Sequence, residues 1–447
     1  MARQRNRSLS ADVKTTAYLK FRRIFDDAVK ARELDRALES RLILGRCLLH
    51  VPPLLAAAGD TPIPDVAELP EWVSAKPGRE RQLLSAAFSR SSDLSDRFAA
   101  AGDLHELLRR RLPQPTPIWE SGRMRFARSF SSDTLFFAES NLRVLRWWDR
   151  RRDRGELKPG LERFLKLVRQ RSPQSGCGFH GLFLEAFQDT PGLCGIIIFG
   201  SSAHADSPWN QCDGKDVDLA ILGRGLWFRR ALCARDGIRL DILRVPEVAL
   251  RRGVKAEDDL MNNALSTAEI LRDDSGEIRL LQKGVQDRYA AGKTRPRGED
   301  RESLEHEMMS WAKWGEPRGD EAADLIRLEA ALAEILKRGF RLNGQWFPSD
   351  QDLIASLEVW TPKGAGRLRD YLIADNLHDA YRSLGFLCEV LGTAGISLSD
   401  RARASAGDRS DAEGSEPHSR LQGLSSGTTG YRRTRLNPGA TVDTREG

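Results

Sequence analysis

The sequence has no apolar run of membrane-spanning length, which excludes a helical membrane protein. Its basic start, Met1-Ala-Arg-Gln-Arg-Asn-Arg-Ser8, is followed by Leu9-Ser-Ala-Asp-Val-Lys14 and not by an apolar stretch, so a secretory leader is not expected and the cytoplasm is the default. Cysteine is scarce: six residues, none in a C-x-x-C pair, so neither a disulfide framework nor a Cys-rich zinc site is expected. Cys177 and His180 have a ligand-like spacing but lack a second pair, and core or surface roles suit them better. No internal repeat is present.

What is present is 447 residues, 40% hydrophobic and 30% charged, enough for about three compact units at ~150 residues each. The net charge is +6, and residues 1–23 alone carry seven basic groups against one acidic. A second basic excess, around Arg150–Arg154 beside Trp147 and Trp148, has the composition of an RNA or polyphosphate contact but fits a solvated helix face better. Helical periodicity predicts helices over 9–48, 81–112, 132–150, 158–171 and 178–188, and prolines across 51–80 predict a connector. No motif with a mechanism precedes residue 190. Residues 194–200, 216–222 and 238–245 read as three short buried strands, 246–290 as mainly helical, and 299–394 as a helical bundle. Beyond Asp400 the chain is rich in Ser, Gly and Arg and poor in large apolar residues, which predicts disorder. The expected organisation is therefore an N-terminal helical region (1–130), a domain at 131–250 with a small sheet and its leading helices, a C-terminal helical domain (251–400) and a tail (401–447).

The informative stretch is Phe199-Gly-Ser-Ser202, then Asp216-Val-Asp218, then Asp241. A strand that ends in Gly200 lets backbone N–H groups approach a phosphate, and the Ser201 and Ser202 hydroxyls add donors. Asp216 and Asp218, two apart on a strand, point to one face and can share hard cations. Asp241 interrupts an apolar strand between Leu240 and Ile242, where a lone carboxylate is costly unless paired or metal-bound. Three such carboxylates fit a two-metal phosphoryl-transfer site. Without cations they would repel one another, so Asp241→Asn is expected to stabilise the metal-free protein.

This arrangement resembles the nucleotidyltransferase superfamily related to DNA polymerase β, on the residues Ile198-Phe-Gly-Ser201, Asp216-Val-Asp-Leu219 and Leu240-Asp-Ile242. The short interval between Asp218 and Asp241 and the trailing helices look most like the small-molecule, antibiotic-type members, and Phe340–Pro348 looks like a helix-end motif of bacterial proteins of that architecture. The loop 202–215, with Pro208, Trp209 and Gly214, is longer than the family's usual one. The resemblance implies an α+β fold, a small mixed-sheet nucleotidyltransferase domain flanked by an N-terminal helical region and a C-terminal helical bundle. It also implies Gly200 and Ser201 at the triphosphate, Asp216 and Asp218 as ligands of two Mg²⁺ ions, and Asp241 as the third carboxylate. The implied activity is transfer of a nucleoside monophosphate from an NTP, ATP by family habit, to a hydroxyl of a small-molecule acceptor. Alternatives are a tRNA or protein acceptor, with nucleic acid not favoured, and an inactive nucleotide-sensing module.

Other residues have plain readings. His204 and Lys215 suit a phosphate loop or an ordinary surface. Trp311, Trp314 and Trp346 suit a stacking wall or a core. Glu305 and Glu307 suit a catalytic base or a solvated face, the second being the better fit.

Overall fold

In the computed structural model, residues 11–61, 68–90, 93–116, 118–120, 124–125, 157–170, 179–200, 216–224, 227–235 and 238–393 are described. Proline starts helices in the N-terminal part instead of separating them. Pro52 and Pro53 lie in the first turn of α3 (Val51–Ala58), Pro70 lies in that of α4 (Leu69–Ser74), and Pro77 is the N-cap of α5 (Gly78–Ala87). The first N–H groups of a helix lack an intrahelical acceptor, so a proline ring there removes nothing and its fixed φ suits the turn. Much of the expected connector is thus helix, and α3 is buried.

With α1 (Ala11–Glu33), α2 (Ala37–Leu48) and α6 (Leu94–Arg111), these helices share one hydrophobic core with the end of the chain: α12 (Glu299–Trp314), α13 (Glu321–Leu342), α14 (Leu353–Trp360), α15 (Pro362–Ile373) and α16 (Leu377–Thr393). The hub is α13, buried along its length except at Glu321, Lys337, Arg338 and Arg341. Its few buried charges are paired: Asp324 with Arg327, Glu334 with Arg338, and Glu329 with Arg90 at 3.4 Å. The span Ala37–Ala58, covering α2 and α3, is apolar and long enough to cross a membrane, contrary to the sequence reading, but 89% of its apolar window is buried in this core.

The sheet lies between these two helical runs in sequence. Its order is β1 (Ile118–Glu120), β5 (Trp227–Arg235), β6 (Ile238–Pro246), β4 (Asp216–Gly223), β3 (Leu193–Phe199), β7 (Glu269–Asp273), with β2 (Met124–Arg125) beside β5. β4 and β6 run parallel and the other pairs antiparallel, so the sheet is mixed. The three expected strands are its centre. β5 and β7 were not expected, the latter interrupting a stretch read as helical. Alternation sends Ile196, Ile198, Leu219, Ile221, Leu240 and Ile242 against α7 (Lys158–Gln170) and α8 (Phe179–Phe187), through Phe164, Phe183 and Phe187. Ile197, Ala220, Leu222 and Val245 face the other way, onto α9 (Glu247–Lys255), α10 (Asp259–Ser266) and α11 (Glu277–Ala291). The molecule is thus an α+β fold, a mixed sheet flanked by an N-terminal helical region and a C-terminal bundle. Residues 401–447 lie outside the described residues.

Candidate functional site

β4 and β6 are in parallel register with Asp218 directly beside Asp241. Each stands two residues before one that packs under α9–α11, Ala220 and Leu243 respectively, so both carboxylates lie on that face, ahead of its apolar cluster. Each residue is 7% exposed. On the other side of β4, Phe199 of β3 pairs with Asp218, and the chain then turns at Gly200 with φ +72°. A Cβ at Gly200 would stand 3.0 Å from Asp218 Oδ2, so the position needs glycine for its left-handed backbone and for its approach to the carboxylate.

The carboxylates are matched by arginines. Arg230 on β5 donates from Nε to Asp241 Oδ1 at 2.9 Å and from Nη2 to Oδ2 at 2.5 Å. Arg23, reaching in from α1, donates to Asp218 Oδ1 and Oδ2 at 3.3 and 3.1 Å, and its Nη1 stands 3.5 Å from Asp241 Oδ2. Burial works against the charge of both guanidiniums, but the neighbouring carboxylates outweigh it and hold their pKa above the ordinary arginine value. One turn earlier on α1, Lys20 is pushed down to about 8, chiefly by burial and then by Arg230 and Arg46. The repulsion expected between carboxylates without cations is therefore offset within the protein. Sequence reasoning missed both arginines. Arg23 lay inside the basic N-terminal excess, and Arg230 in an unrecognised strand whose Arg229-Arg230 pair puts one guanidinium on each face of the sheet.

Asp216 opens β4, opposite Arg239 on β6; its side chain lies outside the described atoms, as do Ser201, Ser202, His204, Lys215 and Cys177 entirely. Among the described residues no group of three or more His, Cys, Asp or Glu side chains is arranged to hold a metal. The remaining candidates fall away from this site. His180 Nδ1 is 3.2 Å from Glu269, while Glu305 and Glu307 pair with Arg301 and Arg338, each at 2.8 Å. Trp311 and Trp314 meet edge to face against the bundle core. Trp346 stacks on Tyr289 beneath the Lys293 ammonium, and the adjacent Phe347 backbone is fixed by Asp259 and Asn263. The Phe340–Pro348 motif is thus a brace between α13 and the helices over the sheet.

No protein-family model matches the chain, and no curated protein matches it. Among solved structures it is similar to a nucleotidyltransferase-like protein from Exiguobacterium sibiricum, at 14% identity over 47% of this chain and 74% of that one, with a TM-score of 0.32.

Proposed function

We propose that this chain is a nucleotidyltransferase that moves a nucleoside monophosphate from a nucleoside triphosphate, ATP by the habit of the family its motifs resemble, to a hydroxyl of a small-molecule acceptor. The observation that carries the reading is the side-by-side placement of Asp218 and Asp241 on parallel strands, with Gly200 turning against Asp218 in a left-handed backbone. Buried carboxylates on one face are a hard, acceptor-only donor set, and the charge that two arginines now match is the kind that divalent ions match, so the residues fit Mg²⁺. Asp216, Asp218 and Asp241 would hold two ions. When bound, Mg²⁺ lowers the pKa of an acceptor hydroxyl and offsets charge on the triphosphate.

The protein's own part is positional. Strand pairing fixes both carboxylates relative to each other, and the left-handed turn at Gly200 leads into Ser201 and Ser202, whose N–H and hydroxyl groups suit phosphate oxygens. In the reaction the acceptor oxygen bonds to the α-phosphorus, the bond from that phosphorus to the β-phosphate oxygen breaks, and pyrophosphate and one proton depart. The test is incubation with α-labelled ATP, Mg²⁺ and fractionated cell extract. A labelled small molecule formed with equimolar pyrophosphate is expected. Equal yields from the wild type and the Asp216→Asn/Asp218→Asn double variant would refute the reading.

A second reading has its own observation. Arginines already balance the carboxylates, which suits a nucleotide-sensing module without turnover. Such a module would bind ATP equally well with excess EDTA, whereas the transferase would lose binding.

A further inference from the structure

We infer that Arg23, on helix α1, is a phosphate-binding residue of this site and exchanges the Asp218 and Asp241 carboxylates for the triphosphate of the incoming nucleotide. The inference rests on the transferase reading above and gives the N-terminal helices a place in it.

The two arginines at the site are held differently. Arg230 comes from β5, the neighbour of β6, its side chain is 16% exposed, and two of its N–H groups are committed to Asp241 at 2.9 and 2.5 Å. It is a fixture of the sheet. Arg23 comes from a helix, 195 residues before Asp218 in sequence, its side chain is 46% exposed, and its contacts are longer, 3.1 to 3.5 Å, and spread over both carboxylates. It closes the site from the solvent side.

The oxygens that Arg23 touches are the ones a divalent ion must take. A guanidinium cannot shed its proton, so once displaced it keeps its charge and needs another anion. The charge balance names one. Among the described groups, Asp218 and Asp241 are matched by Arg23 and Arg230. Two Mg²⁺ and a fully ionised nucleoside triphosphate add four charges of each sign, and Asp216 would add a third carboxylate, so losing Arg23 would leave the site short of positive charge. With the carboxylates engaged by the ions, the anions left near it are Asp27 on its own helix and the phosphate oxygens, and the latter match the guanidinium fork.

The experiment uses the full chain and two probes, Mn²⁺ alone and inorganic tripolyphosphate with Mg²⁺, each titrated calorimetrically into wild type, Arg23→Gln, Arg23→Lys and the control Arg22→Gln. Arg22 is the exposed neighbour that pairs within α1 with Asp26. Removing the competitor should tighten Mn²⁺ binding by Arg23→Gln about 3- to 10-fold, while losing a charge-assisted phosphate contact should weaken tripolyphosphate about 10-fold or more. Arg23→Lys, a point charge without a fork, should fall between, and Arg22→Gln should move neither probe. If Arg23→Gln tightens both probes, Arg23 only plugs the site and the inference is overturned; if it moves neither, the contact is an ordinary surface ion pair and the inference is equally overturned. Should Arg23→Gln fail to fold by circular dichroism, Arg23→Lys decides, through a tripolyphosphate loss of about 3-fold or more. A wild type that binds neither probe would instead remove the transferase reading, and this inference with it.

Discussion

Replacing Asp241 with asparagine keeps the shape of the side chain and removes its charge, and the balance of nearby charges sets the outcome. At an effective dielectric of ~20, a pair of opposite charges at ~4 Å is worth on the order of 4 kcal/mol, and two like charges one strand spacing apart, ~5 Å, repel by on the order of 3 kcal/mol. Asp241 has two attractions, to Arg230 at 2.5 Å and Arg23 at 3.5 Å, against one repulsion from Asp218. The attractions win. The amide also turns N–H donors toward guanidinium N–H donors. Loss of a partner from a buried pair costs ~3–5 kcal/mol, and the half-exposed Arg23 and the remaining Asp218 place this site at the lower end, about 3 kcal/mol. With an unfolding entropy of ~2 cal/mol/K per residue, a compact unit ending at Gly395 should lose roughly 4 °C in melting temperature. The assay is urea and thermal unfolding in EDTA, so that no divalent ion contributes. A melting temperature equal to or above that of the wild type would mean that repulsion governs the site, and the arginine pairing would have to be abandoned.

Three further substitutions test other parts of the structure. Gly200→Ala forces a side chain into a backbone at φ +72° with its Cβ 3.0 Å from Asp218 Oδ2, and should cost about 1–2 kcal/mol in urea unfolding and weaken Mn²⁺ binding; an unchanged midpoint and affinity would show a looser turn. Glu329→Gln removes the charge that Arg90 meets in the shared core, where both side chains are 3% exposed, and should destabilise by about 3 kcal/mol or more, whereas a loss below about 1 kcal/mol would show that α13 does not hold the N-terminal helices through this pair. Lys20 has a folded pKa of about 8 against an ordinary value of 10.5, so charging it opposes folding at all pH below 8, and the penalty fades between 8 and 10.5. Lys20→Met should therefore stabilise the protein at pH 7 by an increment that shrinks toward pH 10.5, and a pH-independent increment would contradict the assigned burial.

Asp218, Asp241 and Gly200 were legible because each breaks a local pattern: carboxylates and a glycine in or beside short apolar strands have few physical explanations. The strands β3, β4 and β6 were legible for the same reason. β5 was not, since Arg229 and Arg230 interrupt its apolar alternation, and only the pairing with β6 shows that Arg230 answers Asp241. The prolines of 51–80 were visible but their meaning was not, because a proline in a first helical turn and a proline in a linker look alike until the helix is placed. Arg23 was illegible for a deeper reason. Its contact with Asp218 depends on where α1 sits, and α1 is placed by burial of residues such as Phe21 in a core built from both ends of the chain. That core includes α13, more than 300 residues beyond α1's start. The helices without a motif are therefore tied to the carboxylates through the Arg23 guanidinium and to the bundle through their apolar side. A change in α1 packing has only one residue, Arg22, between Phe21 and Arg23 to cross before it reaches Asp218 and Asp241.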